Sequence, residues 1–167
     1  QYYEENGENA YWSNSMFSGM PTYFTSMRDK SNLLSHVRSV MMLGFKGNAA
    51  RFVMGMVCFY ILMLVLKVRP LLAIFGAIAF AYSTNNLVLL NAGHVTKIST
   101  VLSSPLLIAG IISAYRKDYL LGLILFSLGM GINLASQHPQ MTYYVGIMMI
   151  IYVLLVFINA LKNKTLP

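Results

Sequence analysis

Ala49-Ala50-Arg51-Phe52-Val53-Met54-Gly55-Met56-Val57-Cys58-Phe59-Tyr60-Ile61-Leu62-Met63-Leu64-Val65-Leu66 is followed by Lys67-Val68-Arg69-Pro70 and a second apolar run from Leu71 to Leu90. A hydrocarbon layer of ~30 Å needs ~20 predominantly apolar residues in a helix rising ~1.5 Å per residue, and both runs have that length. The short basic link between them leaves room only for an antiparallel hairpin, and Pro70 suits a helix start, where its missing N–H costs nothing. Working outward, further runs of this kind cover 98–115, 119–135 and 141–161, and Arg116-Lys117-Asp118 closes a second hairpin. The pattern predicts an all-α polytopic membrane protein. It has about five transmembrane helices (49–66, 71–90, 98–115, 119–135, 141–161), an extracytoplasmic loop over 1–48 and a cytoplasmic end at 162–167.

Composition agrees: 57% hydrophobic residues, 10% charged residues and a mean hydropathy of +0.61 exclude a soluble domain with one buried core. The net charge of +7 needs no nucleic acid, because basic residues beside spans meet anionic headgroups, so membrane lipids are the expected partners. Cys58 is the single cysteine, which removes a disulfide framework or a thiol pair for metal and leaves it an apolar filler.

Orientation follows from Lys and Arg in short loops. Lys67, Arg69, Arg116, Lys117, Lys162 and Lys164 fall on one side, against Lys97 alone in the two opposite loops. That side is expected to be cytoplasmic, although the N-terminal segment outside carries Arg28, Lys30, Arg38, Lys46 and Arg51 beside Glu4, Glu5, Glu8 and Asp29. The chain opens on Gln1 in a polar stretch that must reach the outside, so a fragment of a longer protein, with an upstream span, is expected. Over about 31–46, Leu33, Leu34, Val37, Val40, Met41 and Phe45 recur at helical spacing, with Ser31 or Asn32 as a cap. An apolar stripe with a basic flank fits a helix lying in the bilayer interface, or one packed on an extracytoplasmic domain.

Polar groups that can carry chemistry gather at the loops expected outside. His94 and Lys97 are three apart where the second span gives way to the third. If the turn after Gly93 opens a helix, both project on one face and, with backbone N–H groups, can hold a phosphate or pyrophosphate at headgroup level. The same spacing fits Lys97 snorkelling to the interface and His94 capping the loop. Gln137-His138-Pro139-Gln140 interrupts two apolar runs. Pro139 pushes the preceding residue out of helical geometry, so His138 is presented at the turn, among glutamines suited to hydroxyl-rich ligands. Tyr143 and Tyr144 fit aromatic-belt anchors. His36, His94, His138 and Glu8 show no ligand spacing such as His-x-x-x-His, so no metal set is assigned, and a divalent cation is the one cofactor left open.

Asn6-Gly7-Glu8, Trp12-Ser13-Asn14-Ser15-Met16-Phe17-Ser18-Gly19-Met20-Pro21-Thr22-Tyr23, Gly93-His94-Val95-Thr96-Lys97 and His138-Pro139-Gln140-Met141-Thr142-Tyr143-Tyr144 together resemble the YfhO-type bacterial membrane proteins, in the family's order and over nearly the whole chain. Ala10 stands where that family often has proline, and Val95 where asparagine is common. The resemblance implies part of a GT-C-like glycosyltransferase in the bacterial cytoplasmic membrane. Such an enzyme transfers a sugar from a polyprenyl-phosphate carrier to a cell-envelope glycan or lipid acceptor on the extracytoplasmic face. The family's acidic residue after its first span, a general base, would lie upstream of Gln1.

Transfer of this kind needs a carboxylate to take the acceptor proton, cations at the departing phosphate and polar groups around the sugar. The resemblance assigns Glu8 as an accessory or substitute carboxylate, His94 and Lys97 to the phosphate, and Gln137, His138 and Gln140 to sugar or acceptor hydroxyls. Trp12 would stack on a sugar ring, Gly19-Met20-Pro21 would shape the loop, and the spans would leave a groove for the polyprenyl tail. A transporter or lipid-handling protein is the alternative, but it calls for ionisable groups and broken helices near mid-span. A scaffold subunit without a site is the third reading.

Overall fold

The computed structural model describes residues 11–14, 19–21 and 33–162. The chain divides into two units, Gln1–Ser35 and His36–Pro167. In the first, β1 (Trp12–Ser13) pairs antiparallel with β2 (Met20–Pro21), Trp12 opposite Pro21 and Ser13 opposite Met20. Gly19 turns with φ +118, and a Cβ there would lie 2.7 Å from the Trp12 indole nitrogen. Only glycine fits under that ring, which gives Gly19 the loop-shaping part expected of it.

Helix α1 (Leu33–Met41) is followed by α2 (Gly47–Val65), α3 (Pro70–Ala81), α4 (Thr84–Asn91), α5 (Val95–Tyr115), α6 (Tyr119–Ala135) and α7 (Pro139–Lys162). Helix α1 is shorter than the stretch 31–46 predicted, because the chain turns through left-handed Leu43 (φ 50) and Gly44 (φ 78). Its proposed caps, Ser31 and Asn32, lie outside the described residues. On its predicted apolar stripe, Val37 and Met41 are half-buried while Val40 is 74% exposed.

Four stretches are long and apolar enough to cross a membrane: Gly47–Val65, Pro70–Asn91, Val95–Tyr115 and Pro139–Lys162. Helix α6, expected as a further span, has 17 residues, the short end of what a bilayer requires. The second stretch is two helices rather than one. It breaks at Tyr82 and Ser83, and buried Asn86 reaches back to donate from Nδ2 to Phe80 O (2.9 Å) and Ala81 O (3.2 Å). Those bonds satisfy carbonyls that the break frees where water is scarce. Two aromatic stacks fasten this region to α2, Phe52 on Tyr82 at 5.1 Å and Phe59 on Phe80 at 4.5 Å between ring centroids.

Helix α5 is the centre of the bundle, with Ile98, Leu102, Leu106, Leu107 and Ala109 all buried. It runs antiparallel to α6 along a seam of small residues. A Cβ on Gly110 would lie 2.5 Å from Phe126 N, one on Gly122 2.8 Å from Ala114 N, and one on Gly129 2.9 Å from Leu107 N. Without a water-driven force between helices in lipid, such close backbone approach is the main source of packing energy. Buried Ser99, Thr100 and Ser104 turn their hydroxyls onto the carbonyls of Val95, Thr96 and Thr100 in their own helix, whereas the buried Ser113 hydroxyl near the end of α5 has no partner among the described residues.

Helices α2, α4, α5 and α6 are each followed closely by a left-handed residue: Lys67, Gly93, Lys117 and Gln137. Val68 N–H to Met63 O (3.0 Å), His94 N–H to Leu89 O (2.9 Å) and Asp118 N–H to Ser113 O (3.1 Å) complete the terminal turns of α2, α4 and α5. Asp118 caps α6 by accepting from Leu121 N–H. Arg116 donates across to Val65 O, so the α2–α3 and α5–α6 turns share one end of the bundle. The α4–α5 and α6–α7 turns lie at the other.

Candidate functional site

Helix α5 begins at Val95, earlier than the predicted start at 98, which makes exposed His94 its N-cap residue and half-buried Lys97 the third residue of its first turn. A lysine there sits at the positive end of the helix dipole, where cations are disfavoured and anions are attracted. Neither side chain has a partner among the described residues, so the lysine and the helix start stand together there without a counter-charge among those residues.

At the start of α7, Pro139 is the first helical residue and His138 precedes it, as the bend predicted. Met141 N–H points at His138 Nδ1 at 3.4 Å, a local bond that holds the half-buried ring at the turn. Gln137 makes the left-handed link out of α6. Gln140 donates from Nε2 to the Tyr144 hydroxyl at 2.9 Å, along the exposed side of α7. That bond ties up one of the groups assigned to the sugar and gives Tyr144 a partner besides any membrane interface.

Below the two histidines, α5 and α7 are joined through α6. Asn133, fully buried on α6, donates from Nδ2 to Thr100 O (3.0 Å) and Ser103 Oγ (3.2 Å) on α5, and its Oδ1 accepts from Thr142 Oγ1 (2.7 Å) on α7. Lys97 stands three residues before Thr100 and His138 four before Thr142, each about one turn above this contact. Sequence reading gave no part to Thr100 or Asn133 and quoted Thr142 only within a motif. The available signal was a lone amide in an apolar helix, which must find partners in a neighbour.

Glu8 lies outside the described residues. Trp12 belongs to the first unit, where its ring is exposed. Among the described residues no three His, Cys, Asp or Glu side chains gather as a metal site, and His36 is exposed on α1. Asp118 is the one carboxylate among the described residues, and it caps the far end of α6, about 22 Å along the helix from Asn133. Among the described residues, therefore, the His94 end carries no carboxylate, and Lys97 with the N–H groups of the helix start supplies what can bind an anion.

Two open apolar grooves run along the helices. One, of about 370 Å³, lies between α2 and α3, with Met56, Tyr60 and Ile78 in its wall. The other, of about 330 Å³, lies between α7 and the α5–α6 pair, with Ile111, Phe126, Gly146 and Val153 in its wall. No family model matches this chain, and no curated protein or solved structure matches it either.

Proposed function

We propose that this chain belongs to a membrane glycosyltransferase of the GT-C type, resembling the YfhO-type proteins, that moves a sugar from a polyprenyl-phosphate carrier to a cell-envelope acceptor outside the bacterial cytoplasmic membrane. The observation that carries the reading is that Asn133 joins α5, whose start bears His94 and Lys97, to α7, preceded by His138, near one end of a bundle of apolar helices. A phosphate on a lipid arrives at that level, and the cationic helix start suits it. The apolar grooves below suit a hydrocarbon tail.

In this reading the bond between the sugar's anomeric carbon and the carrier phosphate breaks, and an acceptor oxygen takes the carbon. Lys97 and His94 stabilise the charge left on the phosphate, a contribution that grows in the transition state. His138 and Gln137 orient hydroxyls of the sugar or acceptor. The acceptor proton goes to a carboxylate, the part expected of Glu8.

One observation favours the transporter alternative: the second membrane-length stretch is broken within the apolar region. Asn86 closes that break onto its own chain, however, and the ionisable groups stay at the helix ends, which favours surface chemistry. The test is sugar transfer from labelled polyprenyl-phosphate sugars in membranes carrying the full-length protein. Lys97→Ala and His94→Ala should each reduce turnover by about 10²-fold at equal protein level, the scale for removing a charge-stabilising donor. No turnover with any donor, together with solute or lipid movement across sealed vesicles, would replace this reading with the transporter.

A further inference from the structure

Asn133 uses both ends of one amide to join three helices. Its Nδ2 engages Thr100 O and Ser103 Oγ on α5, and its Oδ1 takes the Thr142 hydroxyl of α7 at 2.7 Å. The Thr142 hydroxyl also lies 3.3 Å from His138 O. With one proton to give, it favours the shorter bond to Asn133.

Helix α7 has no buried residue, so little apolar packing fixes its height or rotation. Thr142 holds it near its start, and Tyr152 meets Tyr115 edge-on farther along at 6.2 Å. Between these holds lies the apolar groove beside Gly146. A directional hydrogen bond in a buried setting, unlike a greasy contact, specifies one rotation of the helix. Lys97 shares the α5 face one turn before Thr100, and Thr142 N–H bonds to His138 O at 3.3 Å, so fixing Thr100 and Thr142 against one amide also fixes the backbone that carries Lys97 and His138.

We infer that Asn133 and Thr142 form an interhelical clasp that sets the separation between Lys97 and His138, and so the width of the site for a lipid phosphate. Both are positioning residues that touch no substrate. The nature of the ligand rests on the glycosyltransferase reading, whereas the clasp does not.

The test uses full-length protein in lipid nanodiscs, in a Cys58→Ala background with spin labels at Thr96→Cys and Tyr143→Cys, both exposed positions flanking the site. Thr142→Val removes the hydroxyl at nearly constant size, and Thr142→Ser retains it. Thr142→Val should broaden or shift the label-to-label distance distribution and weaken binding of farnesyl phosphate by about tenfold, the scale of one lost hydrogen bond. Thr142→Ser should match the parent in both. An unchanged distribution in Thr142→Val, or a serine variant that behaves like the valine one, would overturn the clasp. A changed distribution with no farnesyl phosphate binding by any of the proteins would leave the clasp standing and remove the lipid-phosphate ligand.

Discussion

At Gly110 the two central helices approach so closely that a Cβ would sit 2.5 Å from the backbone nitrogen of Phe126. A side chain can swing aside, but a helix backbone cannot, so Gly110→Ala must push α5 and α6 apart along the seam that Gly122 and Gly129 continue. The cost expected is ~1–3 kcal/mol, the usual range for overpacking, read as a thermal midpoint several degrees lower in detergent. Gly146 is the internal control: it is also helical and glycine, yet a Cβ there meets nothing within 4 Å. Gly146→Ala should leave the midpoint unchanged or raise it slightly, since alanine favours helix over glycine by up to ~1 kcal/mol. Equal effects at the two positions would mean that backbone freedom, not close packing, explains the glycines.

At the scale of elements, the break between α3 and α4 depends on a single side chain. Asn86→Ala would remove the side-chain donor to Ala81 O and Phe80 O, the latter keeping only the long bond from Ser83 N–H (3.3 Å), a loss of ~1–3 kcal/mol for a buried carbonyl left unpaired. Amide exchange over 82–87 should speed up in that variant while α5 stays protected. Unchanged exchange there would show that the break is held by other contacts. The run from Leu71 to Leu90 looked like one span because hydropathy averages over a window, and Ser83-Thr84-Asn85-Asn86 is too short a polar patch to lower it. Where the chain breaks depends on Asn86 being buried beside its own carbonyls, which is a tertiary fact. Pro70 was legible as a helix start because the constraint lies within the residue itself, whereas Pro139 was read only as a bend and the last helix was begun at 141, two residues after its start at Pro139. The start of α5 was placed too late because Thr96 and Lys97 look like loop residues. Gly93, left-handed at φ 76, ends α4 early enough for the next helix to include both. Likewise the stripe through α1 predicted its apolar face better than its end, which Leu43 and Gly44 impose by turning left-handed.

Across the whole molecule, the candidate site was legible as motifs and hidden as an arrangement. His94, Lys97 and His138 stood out because cations and histidines are rare in so apolar a chain. Their association runs through Asn133 to partners 33 residues away on one side and nine on the other, and no local pattern encodes that pairing. Charge is the remaining property of this scale. Lys67, Arg69, Arg116 and Lys117 share the end tied together by Arg116 and Val65 O, and Lys162 closes α7 at its far end. Against them stand Lys46 at the start of α2, Arg51 in its first turns and Lys97. Short loops weigh most in setting topology, and the first group occupies both tight hairpin turns, so that end should face the cytoplasm and the His94 end the outside. A membrane-impermeant maleimide on intact cells, in a Cys58→Ala background, reads this directly: Gly93→Cys should react from outside, and Lys117→Cys only after the membrane is opened. The reverse pattern would put His94, Lys97 and His138 on the cytoplasmic face, where a sugar donor could be a soluble nucleotide, and the extracytoplasmic transferase would have to be abandoned even if the clasp below those residues held.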